Sequence, residues 1–526
     1  MLKPIELTGE QKRILFLPVN NPIQIKGVAG SGKTTVSLYR AKHLQDTQSN
    51  LYQPSKVVLF TFNRTLANYI EELIPVVRGG YQKESEQRDT SVMDGMGIQV
   101  WNFHRYAYKF LKEKGYVLTE RNDDGSWDSR TVAGREQSQL IREALQKQNT
   151  YGQGILSKSI TFFEEEISWM KGQMFGTLQD YLDAKRVGRG GSGRVTQQDK
   201  PKIWRVYTDY NSRLKALGKH DFDDYALLVL KEIKKPEFKP PFTHIVVDEA
   251  QDLSKAQILA ISQLVSTETN SITIIADAAQ RIYKSGFTWS DVGINVVGGR
   301  TKELKKNYRN TYEIFDAANT LILNDPDQSE YTTPDAPTRH GGKPILGRFT
   351  TWGNQMDFLV RFLKDKSLRS TVVLSRNWNL LTNIESHLRS EGFTTKLIKT
   401  KDGIDYDSDE VKLCTLSSVK GLEFDRVFIC DVKEGVIPQV LGIRDDDDDG
   451  YHIDTERRLL YTAMTRAKQD LYLSFWQVPS PFLAEMDKSK FQIEGDYEEP
   501  LTEFDGIHRQ VQEILKQFGS DNPRRF

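Results

Sequence analysis

The stretch Gly27 to Thr35, GVAGSGKTT, decides the fold, because its glycines, lysine and threonine have the spacing of a phosphate-binding loop. The apolar run from Ile23 to Val28 precedes it and predicts a short strand. After Thr34, apolar residues recur at helical spacing, which predicts a helix over 34–45. A glycine-rich turn between a strand and a helix N-terminus binds phosphate groups, so the sequence predicts a site for a nucleoside triphosphate.

The residue types of this loop match what phosphate chemistry needs. Backbone N–H groups wrap the phosphates, and glycine lets the backbone come close because it carries no Cβ. Lys33 is expected to neutralise the β and γ oxygens, and the Thr34 hydroxyl is expected to hold Mg²⁺. The predicted nucleotide contacts in the loop are Gly27, Gly30, Ser31, Gly32, Lys33, Thr34 and Thr35. For the motif alone, an ordinary turn rich in glycine and serine is the alternative.

The composition is that of an ordinary globular protein, with 38% hydrophobic and 27% charged residues among 526. This length predicts about three or four domains. Lysine plus arginine and aspartate plus glutamate each number 72, so nucleic-acid binding would need a local basic surface. Cys414 and Cys430 lie in apolar runs, which predicts buried thiols in a reducing compartment. Without a signal peptide or membrane-spanning run, we expect a cytoplasmic protein with no membrane association.

The order of predicted elements indicates two α/β units, each with a parallel sheet. The first unit is predicted over 1–80 and 220–297, and a longer, mostly helical segment over 81–219 interrupts it. The second unit is predicted over 298–480, followed over 481–526 by an acidic tail with an amphipathic helix at 507–518. Because only the first unit carries a phosphate loop, we expect a nucleotide to lie in the cleft between the units.

Two carboxylates follow a second buried strand at its carboxyl end. The run Thr243 to Val247 leads directly into Asp248 and Glu249, at the edge where parallel sheets bind ligands. Asp248 is expected to complete the Mg²⁺ shell, and Glu249 to polarise the attacking water. The alternative is that this pair caps the helix that starts at Lys255. Gln280 lies just past the next strand, where its carboxamide could sense the γ-phosphate.

The sequence alone does not determine the role of two charged segments. The segment 185–194, KRVGRGGSGR, mixes basic residues with glycine and serine, and it is either a mobile phosphate-contacting loop or a solvated linker. The run 445–449, DDDDD, is interpreted as a solvated loop, because no predicted helix or strand organises it for metal binding. Within the helical segment, Trp101 to Lys112 is predicted to form one helix.

Taken in order, the motifs resemble those of the superfamily 1 helicases of the UvrD/Rep type, over residues 7 to about 475. The segments that carry this resemblance are LTGEQKRIL (7–15), GVAGSGKTT (27–35), TFNRTLA (61–67), WNFHRYA (101–107), DFDDYALL (221–228), IVVDEAQD (245–252), IADAAQRIY (275–283), LKKNYRNT (304–311), TLSSVKGLEF (415–424) and ERRLLYTAMTRA (456–467). The resemblance implies an α/β fold of two RecA-like P-loop parallel-sheet domains with a helical insertion in the first.

The resemblance also implies roles for residues around the nucleotide. Gln11 would contact adenine, Tyr308 would stack on it, and Glu423 would hold the ribose. Arg309 and Arg466 would reach the γ-phosphate from the second domain and stabilise charge on the transferring phosphoryl group. Hydrolysis would then depend on closure of the two domains. The family moves 3′ to 5′ along single-stranded DNA.

Contacts to the DNA strand are implied at several matching positions. Strand binding combines backbone electrostatics with stacking of bases on aromatic rings. The residues at the matching positions are Phe62, Arg64, Phe103, His104 and Tyr283. For each aromatic residue, packing in the core of the domain is the alternative.

The chain departs from the family pattern in three places. After the third-motif glutamine the usual Trp is lost, because 283–286 reads YKSG, with Phe287 or Trp289 as candidates to replace it. The usual His of the fifth motif is Ser417. The large domain that the family inserts in its second core domain is reduced to 399–410, KTKDGIDYDSDE, which is too short to fold as a domain.

Two functions from different classes follow. The leading hypothesis is an enzyme that uses ATP and Mg²⁺ to translocate 3′ to 5′ on single-stranded DNA or a 3′-tailed duplex, in DNA repair or phage defence. The alternative is an ATP-gated regulatory subunit of a nuclease or other effector complex, with little unwinding of its own. The reduced insertion and the neutral net charge favour this alternative, which predicts dependence on a protein partner.

Overall fold

The structure is a computed structural model that describes residues 7–48, 55–62, 67, 70, 98–121, 127–149, 151–184, 195–277, 287–325, 331–365, 367–398, 405, 408–439 and 449–497. Within these ranges the chain forms two parallel sheets with helices packed on them, and a group of helices with a core of its own. This confirms the predicted α/β fold with two parallel-sheet domains and a helical insertion in the first.

The first sheet has six strands, and every neighbouring pair is parallel. From edge to edge the strands are Thr301–Leu304, Ile23–Gly27, Ser271–Ala276, His244–Val247, Val57–Thr61 and Ile98–Asn102. The helices packed with it are Gly9–Leu15, Lys33–Gln48, Phe103–Glu113, Asp224–Ile233 and Lys255–Ser262. Its central strands are wholly buried, as expected for a parallel sheet covered on both faces.

The second sheet has seven strands, again parallel throughout. Its order is Thr395–Leu397, Val411–Thr415, Thr371–Ser375, Phe424–Ile429, Ala467–Trp476, Ile345–Phe349 and Gln492–Gly495. Its helices are Tyr312–Ile322, Trp352–Lys364, Trp378–Ser390, Asp449–Met464 and Pro481–Glu485. The buried residues of these helices and strands form two hydrophobic clusters, one on each face of the sheet.

The helical insertion packs around its own buried residues between Val132 and Leu214. Its helices are Arg135–Gln146, Ile160–Gly172, Leu178–Asp183 and Lys200–Ala216. Short strands at its base are Thr119–Arg121 with Trp127–Ser129, and Thr131–Val132 with His220–Asp221. Short 3-10 helices among the described residues are Gly154–Ser157, Ala250–Asp252, Trp289–Val292 and Lys488–Lys490. Where the insertion returns to the first domain, the buried Lys171 ammonium lies 2.7 Å from both Asp221 and Asp224.

Strand pairing moves three of the predicted boundaries. Ile98–Asn102 forms an edge strand of the first sheet, so the prediction that Trp101 begins a helix is wrong. Thr301–Leu304 pairs with the phosphate-loop strand, so the first sheet extends past 297. Gln492–Gly495 joins the second sheet, which therefore extends past 480. The last two are short edge strands with exposed residues, and such strands lack the apolar periodicity that marks a central strand.

Several sequence predictions fall on residues that the structure does not describe. The basic segment 185–194, the tail helix 507–518, the residues 445–448 and most of 399–410 lie outside the described ranges. Among the residues described, both cysteines are free and buried, as predicted, and burial raises the pKa of the Cys414 thiol to about 12. None of the helices described is long and apolar enough to cross a membrane.

A buried ion pair joins two elements of the second domain and supports a stability prediction. The Arg458 guanidinium contacts Asp325 through two hydrogen bonds of 2.6 and 2.8 Å, and both side chains are almost completely buried. Asp325→Ala would leave the arginine charge buried without this partner. We therefore expect a loss of about 3–5 kcal/mol in the free energy of unfolding, measured as a lower melting temperature.

The exposed pair Lys364–Glu391, at 3.1 Å, provides the control. Solvent screens such a pair, so Lys364→Ala should cost less than about 1 kcal/mol. Equal melting temperatures for the two variants would contradict this account of the second domain.

Candidate nucleotide site between the two sheets

The phosphate loop is formed by the turn between the strand Ile23–Gly27 and the helix Lys33–Gln48. Gly30 and Gly32 have positive φ angles of 74° and 78°, which side-chain-bearing residues rarely adopt. A Cβ on Gly30 would also lie 2.1 Å from Asn307 Oδ1. Glycine at these positions therefore keeps the loop backbone in a conformation whose N–H groups can surround phosphate oxygens.

Lys33, the lysine of the loop, is buried and paired with a carboxylate. Its ammonium lies 2.8 Å from Asp277 Oδ2 and donates to the Val28 carbonyl at 3.0 Å. Asp277 directly follows the strand Ser271–Ala276, just as Asp248 follows the neighbouring strand. Asp277 was not predicted as a site residue, although the rule that identified Asp248 would have found it.

The predicted catalytic carboxylates Asp248 and Glu249 are both buried. Burial and the adjacent Glu249 charge raise the pKa of Asp248 to about 7. Burial alone would also raise the pKa of Glu249, but the charges of Lys420, Lys33 and Arg466 outweigh it and lower this pKa to about 2. The two carboxylates therefore differ: Glu249 is held ionised, whereas the ionisation of Asp248 changes near neutral pH.

Backbone geometry tests the alternative that this pair caps the following helix. The helix Lys255–Ser262 is capped by Ser254, whose side chain accepts a hydrogen bond from a backbone N–H, so the alternative of an acidic cap is wrong. Glu249 itself has a φ of 52°, in the left-handed region. Strain of this kind is common at functional sites, where the surrounding structure holds a side chain in place.

The residues at this edge fit a magnesium ion. Asp248 Oδ2 is buried and has no hydrogen-bond partner among the described residues, and the Thr34 side chain lies near enough to lower the carboxyl pKa. A carboxylate and a hydroxyl are ligands that Mg²⁺ accepts. The described residues hold no cluster of three or more acidic, His or Cys ligands. Mg²⁺ would therefore share its coordination with phosphate oxygens and water, as it does in many phosphoryl-transfer sites.

Two arginines lie at this cleft. Arg466 is 1% exposed, and burial together with Arg309 lowers its pKa to about 10, so it stays charged at neutral pH. Its Nη2 atom and the Nε atom of Arg309 are buried without a partner in the part of the chain that is described. Such N–H groups can donate hydrogen bonds to phosphate oxygens.

Arg309, predicted to reach the phosphate from the second domain, lies in the connection between the two domains. Its backbone lies in the connection that leaves the first-sheet strand Thr301–Leu304. Its side chain, however, packs on the second domain, with Nη2 2.5 Å from Glu423 and Nη1 3.2 Å from the Thr465 carbonyl. Glu423 is thus engaged with Arg309 and, at 3.3 Å, with Lys468. A ribose contact by Glu423 would have to share this carboxylate.

Lys420 was not predicted, yet it joins the two domains at the site. It lies in the second domain, is 1% exposed, and forms an ion pair with Asp252 and a longer one, at 3.5 Å, with Glu249. Both carboxylates belong to the segment after the first-sheet strand His244–Val247. The available signal was the lysine beside the apolar residues Val419 and Leu422 in the motif segment 415–424, TLSSVKGLEF.

Gln11 and Tyr308, the two residues predicted to contact adenine, both hydrogen-bond to the phosphate loop. The Gln11 side chain donates to the Ser31 carbonyl at 2.9 Å and accepts from the Thr8 N–H at 3.0 Å. Thr8 Oγ1 also lies 3.0 Å from the hydroxyl of Tyr308, which is 41% exposed. Through Thr8 the structure thus brings Gln11 and Tyr308 together beside the loop, and the Tyr308 side chain is partly exposed there.

The described DNA-contact candidates differ in exposure. Phe62 is half-buried at the carboxyl end of the strand Val57–Thr61. Phe103 is fully buried in the core of the first domain, which argues against the predicted base stacking. His104 is also largely enclosed, and burial lowers its pKa to about 4, so it is neutral at physiological pH. The predicted residues outside the described ranges are Arg64, Gln280 and Tyr283.

The structure also shows where residues that depart from the family pattern lie. Phe287 and Trp289 are half-buried and pack edge to face on each other, with ring centroids 5.7 Å apart, against the core of the first domain. Ser417 is exposed beside Thr415, with their hydroxyl oxygens 3.4 Å apart. Replacement of the missing Trp by one of the two aromatics stays a prediction.

Two family models match the chain that carries this site. The UvrD/REP helicase N-terminal domain matches residues 7–293, and the UvrD-like helicase C-terminal domain matches residues 399–478. The chain belongs to the UvrD/Rep helicase family. The resemblance inferred from the motifs is therefore confirmed, and the two parallel sheets are the two RecA-like domains of that family.

Individual relatives share only about a quarter of their aligned residues with this chain. The ATP-dependent DNA helicase PcrA of Staphylococcus aureus is 24% identical over 389 residues, which cover 71% of this chain and 47% of PcrA. The ATP-dependent DNA helicase srs2 of Schizosaccharomyces pombe is 25% identical over 61% of this chain and 35% of its own. The chain thus spans about half the length of these relatives or less. A solved C-terminal domain of a possible DNA helicase from Lactobacillus plantarum shares 21% identity over 35% of this chain and 98% of its own, at a TM-score of 0.27.

The raised pKa of Asp248 predicts a pH-dependent gain in stability when its charge is removed. In the unfolded chain this carboxyl ionises near its usual pKa of 3.8, whereas in the folded protein it ionises near 7. The folded state therefore binds more protons between these values, and stability falls as the pH rises through them. In Mg²⁺-free buffer, Asp248→Asn should melt higher than the native protein at pH 8, by about 2–4 °C for each kcal/mol gained.

The same pair of proteins at pH 4 provides the control. There the native carboxyl is protonated in the folded state, so the difference in melting temperature should shrink. An Asp248→Asn variant that melts at or below the native protein at pH 8 would contradict the charge balance described for this site.

Proposed function

We propose that this protein is an ATP-dependent DNA translocase and helicase that moves 3′ to 5′ on single-stranded DNA, in DNA repair or phage defence. One observation carries the proposal: residues of the first sheet and residues of the second meet at a single buried site. Lys33, Asp248 and Glu249 come from the first domain, and Lys420 and Arg466 from the second. Family membership and the helicase names of the relatives support the type of activity.

Each side chain has a task in ATP hydrolysis. Thr34 and Asp248 would hold Mg²⁺, which when bound neutralises charge on the β and γ oxygens. Lys33 would contact those oxygens from the loop. Glu249 would accept a hydrogen bond from the attacking water and orient it, and the surrounding cations keep this carboxylate ionised for that role. Burial of the site excludes other water and strengthens these interactions.

Arg466 links hydrolysis to the position of the second domain. An arginine at the γ-phosphate stabilises the charge of the transition state, so hydrolysis requires the domain that carries it to be closed. Loss of the γ-phosphate removes the anion that this arginine contacts and favours reopening. Closing and reopening can move a DNA strand that lies across both domains, with single-stranded DNA or a 3′-tailed duplex as the substrate.

The direct test measures ATP turnover by the purified protein with and without single-stranded DNA. We expect strong stimulation by DNA, displacement from 3′-tailed but not 5′-tailed duplexes, and no turnover by Lys33→Ala. Lys42→Ala serves as the control, because Lys42 lies on the same helix but pairs with Asp46 at the surface. Turnover that DNA leaves unchanged would refute the proposal. Hydrolysis without strand displacement, restored by a protein partner, would favour the alternative of a regulatory subunit.

The role of Arg466 gives a further prediction. Arg466→Ala should lower the turnover number by about 10³-fold or more, because the arginine acts on charge that develops during transfer. The affinity for ADP should change little, since ADP lacks the transferred group. The matched control is Arg426→Ala, which removes an arginine of the same domain that pairs with Asp470 at 3.2 Å. Equal losses of ADP affinity and turnover would show that Arg466 acts only in binding or folding.

A further inference from the structure

Lys33 and Asp277 form a buried ion pair at the place where nucleotide phosphates are expected. The Lys33 ammonium lies 2.8 Å from Asp277 Oδ2, and the two side chains are 6% and 5% exposed. A buried ammonium without an anion costs several kcal/mol, so this carboxylate stabilises the lysine. The phosphate oxygens of a nucleotide need the same ammonium, and one ammonium in a confined site cannot pair equally well with both anions.

Asp277 is also connected to the catalytic carboxylate. Its backbone N–H donates to Gln251 Oε1 at 3.1 Å, and Gln251 Nε2 donates to Glu249 Oε2 at 2.5 Å. The buried Arg466 and Tyr461 of the second domain lie near enough to Asp277 for its charge to affect their pKa values. Asp277 therefore lies between the phosphate lysine, the catalytic strand and the second domain.

We propose that Asp277 is a positioning residue that holds Lys33 in place of phosphate and competes with the nucleotide for its ammonium. The inference rests on the proposed function, because it assumes that Lys33 binds the phosphates. When a nucleotide binds, the phosphate oxygens replace the Asp277 carboxylate on Lys33. When the product leaves, the carboxylate returns to the lysine and so promotes release. Asp277 thus weakens nucleotide binding and speeds turnover.

The test titrates N-methylanthraniloyl-labelled ADP, with Mg²⁺, into the 526-residue chain and its variants. Asp277→Asn keeps the size of the side chain but removes the competing charge, so we expect it to bind the labelled ADP roughly tenfold more tightly. Its release rate and its turnover number should both fall. Asp277→Ser should change affinity in the same direction, and Asp277→Glu, which restores the charge, should return it toward the native value. Thermal unfolding verifies that each variant is folded.

Asp221→Asn is the matched control. It removes a carboxylate from another buried lysine, Lys171, at 2.7 Å, away from the nucleotide site, and Lys171 keeps Asp224 as a partner. This variant should lower stability without tightening ADP binding. If Asp277 only supported the local structure, its replacement would weaken ADP binding. Competition for Lys33 predicts the opposite change, which is tighter binding.

The outcomes separate this inference from the proposed function. If the native protein binds labelled ADP and the neutral Asp277 variants bind it equally or less tightly, the inference is wrong. The proposed function is then unaffected. Native protein that binds no labelled ADP overturns the proposed function itself. Tighter binding by both neutral variants, slower release and recovery with Asp277→Glu would together support the competition.

Discussion

A buried cluster of opposite charges lies between the two sheets, and the arrangement of the cleft depends on it. Lys33 pairs with Asp277 within the first domain, and Lys420 reaches from the second domain to Asp252 and Glu249. Charges buried this deeply are tolerated only when they are paired, because the cost of removing each from water is several kcal/mol. Lys33 and Lys420, the two buried lysines of the cleft, therefore already have carboxylate partners, and a phosphate group that takes either ammonium must replace that partner.

The fold explains how so many charges reach one place. In a parallel sheet all strands end at the same edge, so the residues that follow neighbouring strands meet there. The phosphate loop, Asp248 and Asp277 follow three adjacent strands of the first sheet. The second sheet delivers Lys420 and Arg466 to the same cleft. The second domain has no phosphate loop in the sequence. The charged side chains that it contributes therefore complete the nucleotide site of the first domain.

The sequence was informative where a local pattern determines structure. The phosphate loop, its flanking strand and helix, and the central strands agree with prediction because motif spacing and apolar periodicity are local properties. The pairs Lys33–Asp277 and Lys420–Asp252 join residues 244 and 168 positions apart, a distance at which periodicity carries no information. The short edge strand Thr301–Leu304 was missed for want of an apolar pattern. At Phe103 the motif matched the family, but motif position does not specify whether a ring faces solvent or core.

If both domains hold one nucleotide, its binding should protect backbone amides in both, and hydrogen exchange followed by mass spectrometry measures this protection. Exchange is compared with and without a slowly hydrolysed ATP analogue and Mg²⁺, in the native protein and in Lys33→Ala. We expect the analogue to slow exchange in the second-domain segments 419–424 and 459–466 as well as in the phosphate loop, and Lys33→Ala to abolish both effects. Protection confined to the first domain would contradict this expectation.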